Sequence, residues 1–133
     1  KESGQLKFIP SPESSLQQTG KLPATLFTEN ISLRFTNGHT GMMMLPQISY
    51  KEKTIVFLAD LMPSVSHLPL PYVMAYDMFP LTTLNEKKSF LTEALENDYI
   101  LFFEHDAVNE CCKLQQTERG IRQKETFTLD ELG

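Results

Sequence analysis

The 133-residue sequence has no tryptophan, only three histidines and only two cysteines. The cysteines, Cys111 and Cys112, are adjacent. Neighbouring cysteines rarely bridge each other, because the ring strains the peptide bond between them. The pair therefore builds neither a disulfide framework nor a Cys-type zinc site, and it points to the cytoplasm. Cations are also scarce. Lys and Arg number 12 against 17 Asp and Glu, for a net charge of −5. That balance excludes a general binder of nucleic acid or anionic membranes, since phosphates need a surplus of cations. Long apolar runs are missing too. Stretches such as Ile55–Ala59 fall far short of the ~20 residues that span a bilayer. The start, Lys1-Glu2-Ser3-Gly4-Gln5, is too polar for a signal peptide and lacks an initiator Met, as a processed chain or an excised fragment would. What is present is ordinary for a globular protein: 41% hydrophobic and 22% charged residues. The length suits one modest domain with a real core.

Residues Lys1–Gly20, rich in Ser, Gln, Pro and Glu, read as a loose arm, and the folded unit as 21–133. Strands are expected at Leu26–Phe27, Ile31–Phe35, Met42–Ile48, Thr54–Ala59 and Tyr99–Phe103, from alternating or continuous apolar residues. Pro46 predicts an edge or a bulge in its strand. Cys111–Gln115 and Ile121–Lys124 fit a hairpin around Glu118-Arg119-Gly120. In such a strand the two cysteines alternate faces, so at most one is expected to be buried. Met62–Pro80 holds four of the eight prolines and must be mostly loop, with one helical turn near Tyr72–Tyr76. Thr83-Leu84-Asn85-Glu86 matches a capping box. The helix it opens runs to about Asn97, with Leu84, Phe90, Leu91, Ala94 and Leu95 on one face. Thr128–Leu132 reads as a terminal helical turn. The fold class is α+β, with a mostly antiparallel or mixed sheet and one clear helix.

Chemistry concentrates at strand ends. His39 follows a glycine, and Asp60 and His105 each follow an apolar strand. Side chains at strand ends converge where a sheet opens to solvent, and imidazole nitrogen and carboxylate oxygen are both good zinc ligands. The same positions also suit turn-forming aspartates and surface histidines. His67 either bonds a loop carbonyl or lies beside such a site. Asp77 reads as a loop former accepting backbone amides. Asp106 either orients His105 or caps a turn.

The words Gly38-His39-Thr40, Val56-Phe57-Leu58-Ala59-Asp60 and Phe102-Phe103-Glu104-His105-Asp106 occur in this order. Together with Pro69–Asp77 they resemble the later metal motifs of the metallo-β-lactamase-fold hydrolases, lactonase-like members in particular. The resemblance covers roughly Ile31 to Leu114. It implies the C-terminal βα half of a four-layer αββα sandwich. It further implies two divalent ions, zinc by preference, with His39 on one, His105 on the other and Asp60 bridging both. The implied reaction is hydrolysis of an ester, lactone, thioester or similar bond in a small-molecule substrate, by a hydroxide held at the ions. With His67 beside such a site and Asp106 orienting His105, these two would stand just behind the ligands.

Two departures matter. The family usually reads G-H-T-P-G, whereas Gly41 and Met42 stand here after Thr40. The family's H-x-H-x-D-H segment, which supplies the remaining ligands, does not occur in these residues. Zinc binding by this chain alone is therefore expected to be weak or absent, and no catalytic residue is assigned beyond the ligands. A lone half would bare the sheet face that its other half covers, so a homodimer through that face is expected. The rival reading is a non-catalytic, self-associating interaction module with the same half-fold. An H-x-H-x-D-H segment encoded upstream of Lys1 separates the two.

Overall fold

A computed structural model describes residues 3–10, 12 and 16–133. The apolar segments form one seven-stranded sheet in sequential order: β1 (Ala24–Thr28), β2 (Ile31–Thr36), β3 (Met43–Tyr50), β4 (Lys53–Phe57), β5 (Ile100–Phe102), β6 (Cys111–Thr117) and β7 (Gly120–Phe127). All neighbours pair antiparallel except β4 and β5, which are parallel. Joining parallel strands needs a long crossover. The proline-rich loop and a helix of 17 residues supply it. Of the expected arm, Lys1–Gly20, the described part includes one short helix, α1 (Leu16–Thr19); the rest of that expectation falls partly outside the described residues. The crossover helix is α2 (Pro80–Glu96).

The direction of the strands places the functional edge. β3 runs against both β2 and β4, so β2 and β4 point the same way, and β5 is parallel to β4. Three strand C-termini therefore open along one edge of the sheet.

Helix α2 lies on one face. Phe90, Leu91 and Ala94 join Leu45, Val56, Leu101, Cys112 and Leu114 in the main core. Each such Leu or Phe contributes about 1.5–3 kcal/mol through removal from water. Leu84, expected on that stripe, is only partly buried. Beside the core, Arg34 on β2 reaches Glu93 on α2 at 2.5 Å, with both side chains under a tenth exposed. Arg34 also donates to Gln47 and to the Leu22 carbonyl, so the buried ion pair is fully hydrogen-bonded.

Several local expectations are corrected. Helix α2 starts at Pro80 rather than at Thr83, with proline at the first helical position, where its missing N–H costs nothing. Glu86 is then too far along to cap the helix and goes elsewhere. Pro46 sits in an interior strand without a bulge, opposite Leu33. It is tolerated because pairing of β3 with β4 ends at Gln47, leaving no ladder bond for Pro46 to break on that side. The bulges lie instead at Leu26/Thr28 and Lys113/Leu114. No helical turn forms at Tyr72–Tyr76; a 3-10 turn forms at Val65–His67.

Both cysteines are buried, against the expectation of one. Cys112 faces α2, and Cys111 lies on the opposite face with Ile55 and Ile100, covered by Phe127 and Leu132. The C-terminal 3-10 turn (Leu129–Leu132), capped by Thr128 and Glu131, makes that cover, and Lys53 and Lys51 donate to the Leu132 and Gly133 carbonyls. Elsewhere the same face stays open. Ile31, Pro46, Ile48, Phe57 and Phe102 are only partly buried, and Met44 is 44% exposed. Among the described residues, no helix is long and apolar enough to cross a membrane.

Candidate metal centre

The loops leaving β2, β4 and β5 carry His39, Asp60 and His105 to the shared edge. β4 ends at Phe57, two residues earlier than the sequence suggests, and Asp60 sits in a 3-10 turn (Ala59–Leu61). Ala59 takes a φ of +44°, a region that costs a residue with a Cβ roughly 1–2 kcal/mol. That kink turns Asp60 across the edge. Its Oδ2 lies 3.5 Å from His39 Nε2 and its Oδ1 lies 3.4 Å from His105 Nε2. Glu104 Oε1 lies 3.9 Å from His105 Nε2. His39 is the most enclosed of the three and His105 the most open.

His39 is fixed from behind. Its Nδ1 is 2.9 Å from Asp77 Oδ1, and the Asp77 side chain is 1% exposed. Tyr76 meets the imidazole edge-on at 6.2 Å. The backbone is held as tightly. Met78 and Phe79 amides donate to the His39 and Gly38 carbonyls. Glu86, on α2, accepts from the Asn37 and Gly38 amides at 2.7 and 3.1 Å. Burial raises the Glu86 pKa, and those two amides oppose the rise. A Cβ on Gly38 would lie 2.2–2.5 Å from Thr83 atoms, so only glycine lets the loop lie this close to α2.

On the other side, the His105 amide donates to the Pro63 carbonyl at 3.0 Å. Asp106 accepts from the amides of Val65, Val108 and Asn109. Burial works against its ionisation, yet those amides hold its carboxyl below the usual range. It thus ties the loop after β4 to the loop after β5. His67 Nδ1 is 2.8 Å from the Ser64 hydroxyl, and burial, helped by Lys87, lowers its pKa. His67 and His105 line one cleft with Pro63, Met74 and Tyr76.

The residues fit a divalent ion. A carboxylate only accepts, so Asp77 takes the N–H of His39 Nδ1 and turns Nε2 toward the sheet edge. There Nε2 faces an Asp60 oxygen at 3.5 Å, wider than a hydrogen bond and open to a cation between them. Adjacent ligands around a tetrahedral zinc, with bonds of about 2.0–2.2 Å, stand roughly 3.3–3.6 Å apart. The two His–Asp60 separations match that edge.

Asp77 and Glu86 were missed as site residues by the sequence reading. Asp77 was expected to accept backbone amides, and Glu86 to cap its own helix. The proximity of Asp77 to a tyrosine gave no signal of its partner, because the loop path after β4 is not encoded in any periodicity.

No known family model matches the sequence, and no curated protein matches it. Solved structures do. A probable metal-dependent hydrolase from Staphylococcus aureus matches with a TM-score of 0.67 and 21% identity, over 79% of this chain and 39% of that one. AidC, a dizinc quorum-quenching lactonase solved with the product N-hexanoyl-L-homoserine, matches with a TM-score of 0.66 and 18% identity, over 78% and 36%. AbOPH, a hydrolase in the beta lactamase superfamily, matches with a TM-score of 0.65 and 15% identity, over 76% and 36%. The chain thus spans well under half the length of the proteins it matches. The α+β sheet with its single crossover helix, overlaid on these structures, gives the chain the fold of the metallo-β-lactamase-fold hydrolases over part of their length.

Proposed function

We propose that this chain is part of a metal-dependent hydrolase and that His39, Asp60 and His105 are its share of a two-zinc centre. One observation carries the reading: the two oxygens of Asp60 face two different imidazole Nε2 atoms at nearly equal distances. When bound, the ions activate water near neutral pH and polarise the group under attack. This chain's own residues do the positioning. Asp77 keeps His39 in the tautomer with a free Nε2, Glu86 pins the loop that carries it, and Asp106 fixes the loop of His105. His67, whose pKa burial lowers, and Ser64 give the adjacent cleft a polar end, and Met74 and Tyr76 give it an apolar wall.

The substrate is a small molecule with an ester, lactone, thioester or similar bond. Support comes from AidC, the structural neighbour solved with N-hexanoyl-L-homoserine, which shares the fold. Three ligands do not complete two zinc sets, so an upstream H-x-H-x-D-H segment supplies the rest and this chain alone is inactive. The buried, unbridged thiols of Cys111 and Cys112 support a cytoplasmic setting. Assays of this chain with added zinc or manganese should show no lactonase, esterase or β-lactamase activity. The longer protein should hydrolyse at least one such class and lose it on His105→Ala. Robust turnover by this chain alone contradicts the reading.

The open sheet face supports a second proposal, that isolated copies pair through it. Ile31, Met44, Pro46, Ile48, Phe57 and Phe102 lie on this face of β2 to β5, with Ile31 opposite Ile48 and Phe57 opposite Phe102.

A further inference from the structure

Glu104 is not among the positions that the metal-motif resemblance supplies. It nevertheless stands at the site. Successive side chains on a strand point to opposite faces, but β5 ends at Phe102 and the backbone bends at Glu104 and His105. The bend is pinned on both sides, by the Phe103 amide on the Glu110 carbonyl and by the His105 amide on the Pro63 carbonyl. Both side chains consequently turn to the same side. One ligand atom each from Asp60, Glu104 and His105 lies within 4.8 Å of the others. Among the described residues, the ion-pair partners of Asp60 and Glu104 are only His39 and His105, so neither Lys nor Arg neutralises the two neighbouring carboxylates.

We propose that Glu104 is a metal ligand, and that Asp60, Glu104 and His105 alone hold one divalent transition-metal ion in this chain. The inference rests on the metal reading above and adds to it a ligand that makes one side of the site self-sufficient. One imidazole nitrogen and two carboxylate oxygens form a three-ligand set of the kind that leaves a position open. The imidazole favours zinc, copper or nickel over magnesium or calcium. His39 faces the other Asp60 oxygen and is not needed for this ion. Three ligands on an exposed edge, without a fourth, bind less tightly than a closed structural site.

Isothermal titration of this chain with zinc chloride, followed in parallel by imidazole ¹H–¹⁵N spectra, tests the proposal. The expected result is one zinc per chain, a shift of the His105 Nε2 resonance, and affinity at least about tenfold weaker for Glu104→Gln. Glu118→Gln, at the tip of the β6–β7 hairpin, should bind as the unaltered chain does. Unchanged affinity in Glu104→Gln, together with a loss in Asp60→Asn, overturns the role of Glu104 and leaves the Asp60 centre standing. No shift of His105 at millimolar zinc overturns the one-ion site itself. The two-zinc centre of the longer protein is tested apart from this, by its turnover.

Discussion

Asp77 and His39 meet through a 2.9 Å contact between Oδ1 and Nδ1, although 38 residues separate them in the chain. The Asp77 carboxylate is almost wholly buried, so the contact is shielded from water and the imidazole has one orientation. Metal-binding histidines commonly need such a partner, and its loss costs about 10–100-fold in metal affinity or activity. Asp77→Asn should therefore lower kcat/KM of the longer protein by that factor with little change in KM. In this chain, long-range ¹H–¹⁵N spectra should show the His39 proton on Nδ1, and Asp77→Ala should release it to a mixture of tautomers. An unaltered tautomer in Asp77→Ala would separate Asp77 from the site.

Gly38 packs its Cα against the first turn of α2. Gly38→Ala should destabilise the fold by about 3 kcal/mol, since the new methyl meets backbone as well as side-chain atoms of Thr83 and neither can withdraw cheaply. Urea unfolding measures this as a lower midpoint at unchanged slope.

Lys87 is fully buried, and its ammonium donates to the Pro69, Leu70 and Tyr72 carbonyls at 2.7, 3.3 and 2.9 Å. It holds the proline-rich loop that leads to Asp77. Burial, with Arg122 adding to it, lowers its pKa from 10.5 to about 8. Between those two values the unfolded chain binds more protons than the folded one, so this group makes stability rise with pH across that window, by up to roughly 3 kcal/mol. The difference in unfolding free energy between the unaltered chain and Lys87→Met should therefore move in favour of the unaltered chain from pH 8 to pH 10. A pH-independent difference would contradict the assignment.

The band of Met44, Ile48 and Phe57 on the open face should drive isolated chains into a homodimer, because an apolar patch of this extent is rarely left to water. Sedimentation at high micromolar concentration should report a dimer, and Ile48→Lys should return it to monomer without changing the circular dichroism spectrum. A monomer for the unaltered chain would exclude this use of the face.

Much of the sheet was legible because strands announce themselves locally. Ile31–Phe35 alternates with period two, and Thr54–Phe57 is β-branched and apolar. Asp60 and His105 stand out because each follows such a strand, and His39 through the word Gly38-His39-Thr40; the structure brings the three side chains to one edge. The rest depended on contacts between distant segments. Glu86 matched a local capping pattern, but Pro80 started the helix a turn early and freed its carboxylate for the Asn37 and Gly38 amides. Alternation along the strand predicts one exposed cysteine of the two, but the C-terminal turn folds over Cys111 and buries both. Nothing in the local sequence marks Glu104, and the bend after β5 brings its carboxylate beside Asp60 and His105.

The most direct measurement of the central claim is zinc content and turnover of the longer protein that carries an H-x-H-x-D-H segment ahead of this chain, compared with its Asp60→Ala variant. The expected result is two zinc ions per chain and hydrolysis of an ester or lactone. Asp60→Ala should fold normally, lose bound zinc and lose turnover altogether, since Asp60 would serve both ions at once. Full turnover in Asp60→Ala would contradict that claim.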